Sequence, residues 1–108
     1  MPDDMHIPAT EVCPIERTVA LIGGKWKPYV LFHLHAGRKR YSELKRLIPQ
    51  SSDRMLTRTL REMEADRLIV REVFAEVPVR VEYALSADGV TLMPVLDAML
   101  AWTQARST

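Results

Sequence analysis

At residue 69 the apolar pattern of this chain changes period. The segment LIVREVFAEVPVRVEYALS, residues 68–86, is rich in valine, and Val81, Tyr83 and Leu85 alternate with Arg80, Glu82 and Ala84. That alternation is the signature of a half-buried strand. EVPV fits the tip between two strands, near 69–75 and 80–85. On both sides of this segment the apolar residues recur at helical spacing. The chain has 108 residues, so one domain is expected, with helices around a single hairpin.

The helices can be placed by their start and stop signals. PIERTVALIGG carries Ile15, Val19 and Ile22 on one stripe, with Pro14 suited to a first helical position and Gly23-Gly24 as a stop. In KWKPYVLFHLHAG, Val30, Leu31, Phe32 and Leu34 point in several directions, so this helix is expected to be buried on most sides. RKRYSELKRLIPQ follows, with Ser42 as N-cap, a stripe of Leu44, Leu47 and Ile48, and Pro49 as terminator. The last segment holds Leu92, Val95, Leu96, Met99, Leu100 and Trp102 and is apolar over more than one face. Pro94 belongs either to its first turn or to a kink. One of those faces can serve the chain's own core; a homodimer is the simplest cover for the other.

Between the short helix and the hairpin stands SSDRMLTRTLREMEADRLI, residues 51–69. A helix starting at Ser52 or Asp53 puts Leu56, Leu60 and Met63 on one stripe. Arg54, Arg58 and Arg61 then fall within an arc of roughly 60° on the opposite side. Two helices joined by a turn of about four residues make a helix-turn-helix. With the hairpin after it, the order is that of a winged helix, whose second helix enters the DNA major groove while the hairpin flanks the backbone or minor groove.

Charge distribution agrees with that reading. Net charge is only +1, yet residues 38–71 hold ten basic and five acidic residues, leaving the remainder at −4. A basic block in a near-neutral chain marks a binding face. Arg54, Arg58 and Arg61 are the leading DNA-binding candidates, with mid-helix Arg58 as the guanine reader and Arg54 or Arg61 on phosphate. Ser51, Ser52 and Thr57 are short donors near the helix start, suited to capping and to phosphate. Arg38, Lys39 and Arg40 are candidates for backbone contact. Arg80, at the wing tip, is a minor-groove or phosphate candidate; its rival role is pairing with Glu76 or Glu82 across the hairpin.

Hydrophobic residues make up 47% of the chain, enough for a core, but no apolar run reaches the roughly 20 residues of a membrane helix. MPDDMHIP is acidic and does not read as a signal peptide. One cysteine excludes an internal disulfide, and the simplest compartment is the reducing cytoplasm. No cofactor or metal is expected: His33 and His35 diverge on a helix, His6 lies in the arm, and no Cys/His spacing fits zinc. Trp26, Tyr29, Phe32 and Trp102 suit core or dimer interface better than a ligand cage.

Cys13 precedes Pro14 at a helix start, where the macrodipole favours a thiolate and Arg17 adds positive charge; Glu11 and Glu16 act the other way. It is a candidate sensor of oxidants or electrophiles, against the alternative of an inert buried cysteine.

CPIERTVALIGGKW, RYSELKRLIP, MLTRTLREMEADRLI and VPVRVEYALSADG, taken together, resemble the HxlR family of bacterial winged-helix transcription regulators. The resemblance spans about residues 13–102. It implies a homodimer built from the N- and C-terminal helices, with Ile15, Val19, Leu96, Met99, Leu100 and Trp102 as interface candidates. It also implies a two-fold operator on double-stranded DNA, and in several members an oxidant- or electrophile-sensing cysteine at the position of Cys13. Three positions depart from the family pattern: Gln50 where many relatives have glycine in the turn, Arg67 where glycine usually ends the recognition helix, and Val79 in place of a second wing-tip proline. A non-glycine residue at 67 takes the left-handed conformation at a cost on the order of 1 kcal/mol.

The expected fold is α+β, mainly α: a winged helix-turn-helix with a two-stranded β-hairpin wing and terminal helices forming a dimer interface. Residues 1–11 are expected as an arm and 12–106 as one domain, with a recognition helix at about 53–66, a wing at about 69–85 and a C-terminal helix at about 88–105. The expected function is sequence-specific transcription regulation, as a repressor and not an enzyme. Two alternatives are a winged-helix protein-interaction module and a thiol enzyme built on Cys13.

Overall fold

The computed structural model describes residues 13–106. The arm expected at residues 1–11, with His6 and Glu11, lies outside the described residues. Five helices and three short strands follow one another: α1 (Pro14–Ile22), α2 (Lys27–His35), β1 (Lys39–Arg40), α3 (Tyr41–Leu47), α4 (Asp53–Ala65), β2 (Ile69–Phe74), β3 (Arg80–Leu85) and α5 (Ala87–Arg106).

The core lies where α2, α3 and α4 meet the sheet. Val30 and Leu31 of α2, Leu44 of α3, Ile48 after it, and Leu56 and Met63 of α4 are all fully buried. Leu60, Ile69 and Tyr83 join them, and Met93 supplies the contact from α5. This burial is the main force fixing the helix pair, since helices this short are marginal in isolation.

The apolar character of α2 does not translate into burial on most sides. Val30, Leu31 and Leu34 face inward, but Phe32 is 64% exposed and Tyr29 47%. A helix apolar all round has no sequence signal telling which residues the body will cover. From α1 only Ile22 is buried, and Ile15 and Val19 stand in solvent.

The sheet has three antiparallel strands in the order β1-β3-β2, one more than the expected hairpin. Lys39 pairs with Tyr83 and Arg40 with Glu82, while Ile69 pairs with Leu85 and Phe74 with Arg80. A two-residue strand is too short to show alternation, so β1 left no trace in the pattern. It also displaces the expected cap of α3. The helix starts directly after β1, Arg40 is its N-cap, and the Arg40 backbone N–H donates to Glu43 Oε1 at 2.9 Å. Ser42 therefore sits in the first turn and not at the cap.

Two backbone positions close the region after α4. Arg67 has φ 61°, the left-handed conformation. Leu68 N–H donates to Met63 O at 3.0 Å, which satisfies a late carbonyl of the helix. Ser86 then clamps the residue, its hydroxyl donating to Arg67 O at 2.6 Å. Gly89 passes so close to this junction that a Cβ there would lie 2.2 Å from Leu68 O.

Ser86 also caps α5, accepting from Gly89 N–H at 2.9 Å. Pro94 lies in the interior of this 20-residue helix and not in its first turn. Leu92 and Leu96 pack partly against the core, while Met99, Leu100 and Trp102 are about half exposed or more. Leu96, expected in the dimer interface, thus packs partly against the chain's own core. No described helix is long and apolar enough to cross a membrane.

Candidate nucleic-acid interface

The geometry of α4 follows from its sequence. Its N-cap is Ser52, whose hydroxyl accepts from Met55 N–H at 3.1 Å. Leu56, Leu60 and Met63 are no more than 1% exposed. Arg54, Arg58 and Arg61 lie on the opposite, exposed side, and with Asp53, Thr57 and Glu62 they line a shallow open groove. Among the described residues Arg54 and Arg61 make no ion pair. Arg58 Nε donates to Glu62 Oε1 at 3.2 Å, and Lys27 Nζ of α2 lies 3.5 Å from Glu62 Oε2.

The start of α4 is tied to α3 by Tyr41. Its hydroxyl donates to Asp53 Oδ1 at 2.9 Å and lies 3.4 Å from Thr57 Oγ1. Partial burial holds the phenol above its ordinary value; the Thr57 hydrogen bond opposes this shift and the Asp53 carboxylate reinforces it. Thr57 is thus half-buried against Tyr41, while Ser52 caps. Ser51 differs from the expectation. It is 2% exposed, its hydroxyl donates to Ile48 O at 2.8 Å, and its carbonyl accepts from Lys45. The turn engages the hydroxyl, the N–H and the carbonyl of Ser51, so neither of its donors is left for DNA.

The cations around the wing divide into held and free. Arg38 pairs with Glu72 at 2.7 Å and Glu82 at 3.5 Å. Arg80 lies 3.2 Å from Glu76 and 3.1 Å from Glu82, with its guanidinium 4.1 Å from the Phe74 ring centroid. Its Nε is near Glu82 without aligning its N–H, so that contact is an ion pair and not a hydrogen bond. Glu72, Arg38, Glu82, Arg80 and Glu76 form one alternating chain along the hairpin. The rival role for Arg80, pairing across the hairpin, is therefore the one its geometry adopts. Lys39 Nζ donates to Gly37 O at 3.2 Å. Arg40 and Arg71 make no ion pair among the described residues and line a groove between α3 and the wing tip.

Sequence reasoning missed Tyr41, Lys27, Glu62 and Arg71. Glu62 was within reach, four residues after Arg58. The others depend on contacts between elements distant in sequence.

Cys13 is half-exposed at the N-cap of α1, and its carbonyl accepts from Arg17 N–H at 3.0 Å. Among the described residues no group of three His, Cys, Asp or Glu could hold a metal.

A model of the HxlR-like helix-turn-helix family matches residues 21–108. The chain belongs to that family. A helix-turn-helix transcriptional regulator of Methanothermobacter thermautotrophicus is 50% identical over 102 residues, covering 94% of this chain and 74% of its own. The solved structure of a regulator of the same type, ytcD, matches with a TM-score of 0.84 at 48% identity, covering 88% of this chain and 97% of its own. The redox regulator HypR matches in its reduced form with a TM-score of 0.84 at 43% identity, covering 88% of this chain and 94% of its own. In its oxidized form the TM-score is 0.80. This HxlR-like chain is a helix-turn-helix transcriptional regulator with a winged-helix fold. It is not an enzyme, and the thiol-enzyme alternative falls with that membership.

Proposed function

We propose that the chain is a sequence-specific repressor that binds a two-fold operator as a homodimer. The observation that carries this is the division of α4: three exposed arginines on one side and three buried apolar residues on the other. Such a helix can be held rigidly while its cations reach the major groove. Arg58 is the guanine reader; Arg54, Arg61, Ser52 and Arg40 suit phosphate. The dimer would form through the uncovered apolar residues of α1 and α5, namely Ile15, Val19, Met99, Leu100 and Trp102. The modest charge of the wing supports a secondary role for it, because Arg38 and Arg80 are already paired.

Cys13 is the proposed oxidant-responsive group. Its support is its half-exposed place at a helix start and the likeness to HypR, which is described as a redox regulator. The chain holds one cysteine, so oxidation would give an intersubunit disulfide, a mixed disulfide with a small thiol, or an adduct.

The test is fluorescence anisotropy with duplexes from upstream of the protein's own and neighbouring genes, with random duplex as competitor, across a salt series. Binding that survives the competitor and falls steeply with salt is the expected result. Equal affinity for every duplex removes sequence specificity; no binding at all favours a protein-interaction module. Repeating the titration with oxidant on wild type and Cys13→Ser tests the sensor.

A further inference from the structure

Glu62 is a carboxylate placed among the arginines of α4, and it is doubly engaged. Its Oε1 accepts from Arg58 Nε at 3.2 Å, and its Oε2 lies 3.5 Å from Lys27 Nζ. The Lys27 side chain comes from α2 and is only 17% exposed, whereas that of Arg58 is 72% exposed. One oxygen is thus tied to a cation seated on the body, and the other to a guanidinium that projects into solvent. Arg54 and Arg61 have no such partner among the described residues.

In water a surface pair of this kind contributes little to stability. Its effect is on geometry and on charge. Engaging Nε leaves the two terminal nitrogens of Arg58 as a free fork, which matches guanine O6 and N7. The same carboxylate repels phosphate oxygens, so a backbone contact by Arg58 is penalised. When DNA displaces water from the groove, both effects strengthen as the local dielectric falls.

We propose that Glu62 is a positioning residue that makes Arg58 read a base instead of gripping phosphate, with Lys27 holding Glu62 in place. Arg54 and Arg61, lacking a carboxylate, are left to supply the phosphate contacts. This inference rests on the DNA-binding reading above and adds to it the origin of selectivity within α4. It also explains why a DNA-facing helix keeps an acidic residue where a neutral one would bind phosphate better.

The test is selection from a pool of duplexes carrying a randomised central segment. It uses wild type, Arg58→Ala, Glu62→Gln and Lys27→Met, followed by affinities on the selected duplex and on random duplex. Wild type is expected to enrich a guanine that both Arg58→Ala and Glu62→Gln lose at the same position. Glu62→Gln should bind random duplex more tightly, and its ratio of selected to random affinity should fall about tenfold. The double variant Arg58→Ala/Glu62→Gln should lose no more selectivity than Arg58→Ala alone, because the two residues act as a unit. Glu62 is half exposed, so its amide variant should fold. Lys27→Met disturbs the same contact from the other helix and should move the ratio in the same direction. An unchanged base preference in Glu62→Gln, or an equal gain on both duplexes, overturns the proposal while leaving the DNA-binding reading intact. If the wild type selects no sequence, the sequence-specific part of that reading falls and this inference falls with it.

Discussion

Tyr41 donates its phenolic hydrogen to Asp53 Oδ1 at 2.9 Å, joining the first residue of α3 to the first residue of α4. The buried leucines set how the two helices pack, but they leave the start of α4 free to fray. The Ser52 cap and this hydrogen bond fix it together, and with it the place of Arg54 and Thr57. Tyr41→Phe keeps the ring and deletes the bond. A stability loss of about 1 kcal/mol is expected in urea titration. A variant as stable as the wild type would show that packing alone holds the junction.

The same contact has a pH signature. Burial raises the Tyr41 phenol above 10.0 in the folded protein. Between the ordinary value and the raised one, the folded state holds a proton that the unfolded state has released. Stability from this group is therefore full below about pH 10 and declines as pH rises through the folded value. The difference in stability between wild type and Tyr41→Phe should shrink above pH 10. A difference that stays constant to higher pH would rule out this linkage.

Salt dependence should separate the free cations from the held ones. Arg54→Ala and Arg61→Ala should each lower the slope of log affinity against log salt by about 1. Arg38→Ala should change it much less, since Arg38 is already paired with Glu72 and Glu82. An equal change at all three positions would mean that the wing ion chain opens on DNA.

Glu82 is the centre of that chain, its side chain only 15% exposed between Arg38 and Arg80. Glu82→Gln removes the charge shared by both arginines. The fold should lose about 1–2 kcal/mol, because a partly desolvated cation is left short of its partner. Affinity for random duplex should rise as Arg38 and Arg80 are released. Denaturant titration and anisotropy on the same preparation check both halves.

The two faces of α4 were legible because 3.6-residue periodicity sorts leucine from arginine without knowledge of the rest of the fold. The strands of the wing were legible from the alternation around Tyr83. What escaped depended on contacts distant in sequence. The pairing of Arg38 with Glu72 needs β1 beside β3, and β1 is two residues long. Ser51 resembled any exposed turn serine until Ile48 and Lys45 claimed its polar groups. Phe32 resembled its buried neighbours because a run of apolar residues carries no direction.

The junction after α4 carries opposite demands at two positions. Arg67 holds φ 61° without being glycine, so Arg67→Gly should relieve the strain and stabilise by about 1 kcal/mol. Gly89 tolerates no side chain, since an added Cβ would meet Leu68 O at 2.2 Å. Gly89→Ala should cost about 1–3 kcal/mol, because backbone and not a flexible side chain must move. Urea midpoints moving in opposite directions would verify both; a stable Gly89→Ala protein would mean that α5 can slide off the junction.

Along α5 the apolar residues divide into those the chain covers and those it leaves open, which makes the proposed dimer testable. Leu96 packs partly against the core, whereas Met99 is 51% exposed and Trp102 65%. With Pro94, Val95, Ala98 and Thr103, Met99 and Trp102 line an apolar groove that a second copy could fill. Trp102→Glu should therefore give a folded protein whose light-scattering mass is that of one chain, with unchanged circular dichroism. Leu96→Glu should instead lower the stability of the chain itself, because the charge enters its own core edge. Val19→Glu should behave as Trp102→Glu does if α1 shares the interface. A monomeric wild type at micromolar concentration would remove the dimer. A dimeric Trp102→Glu would move the interface to the exposed aromatic residues of α2, Tyr29 and Phe32.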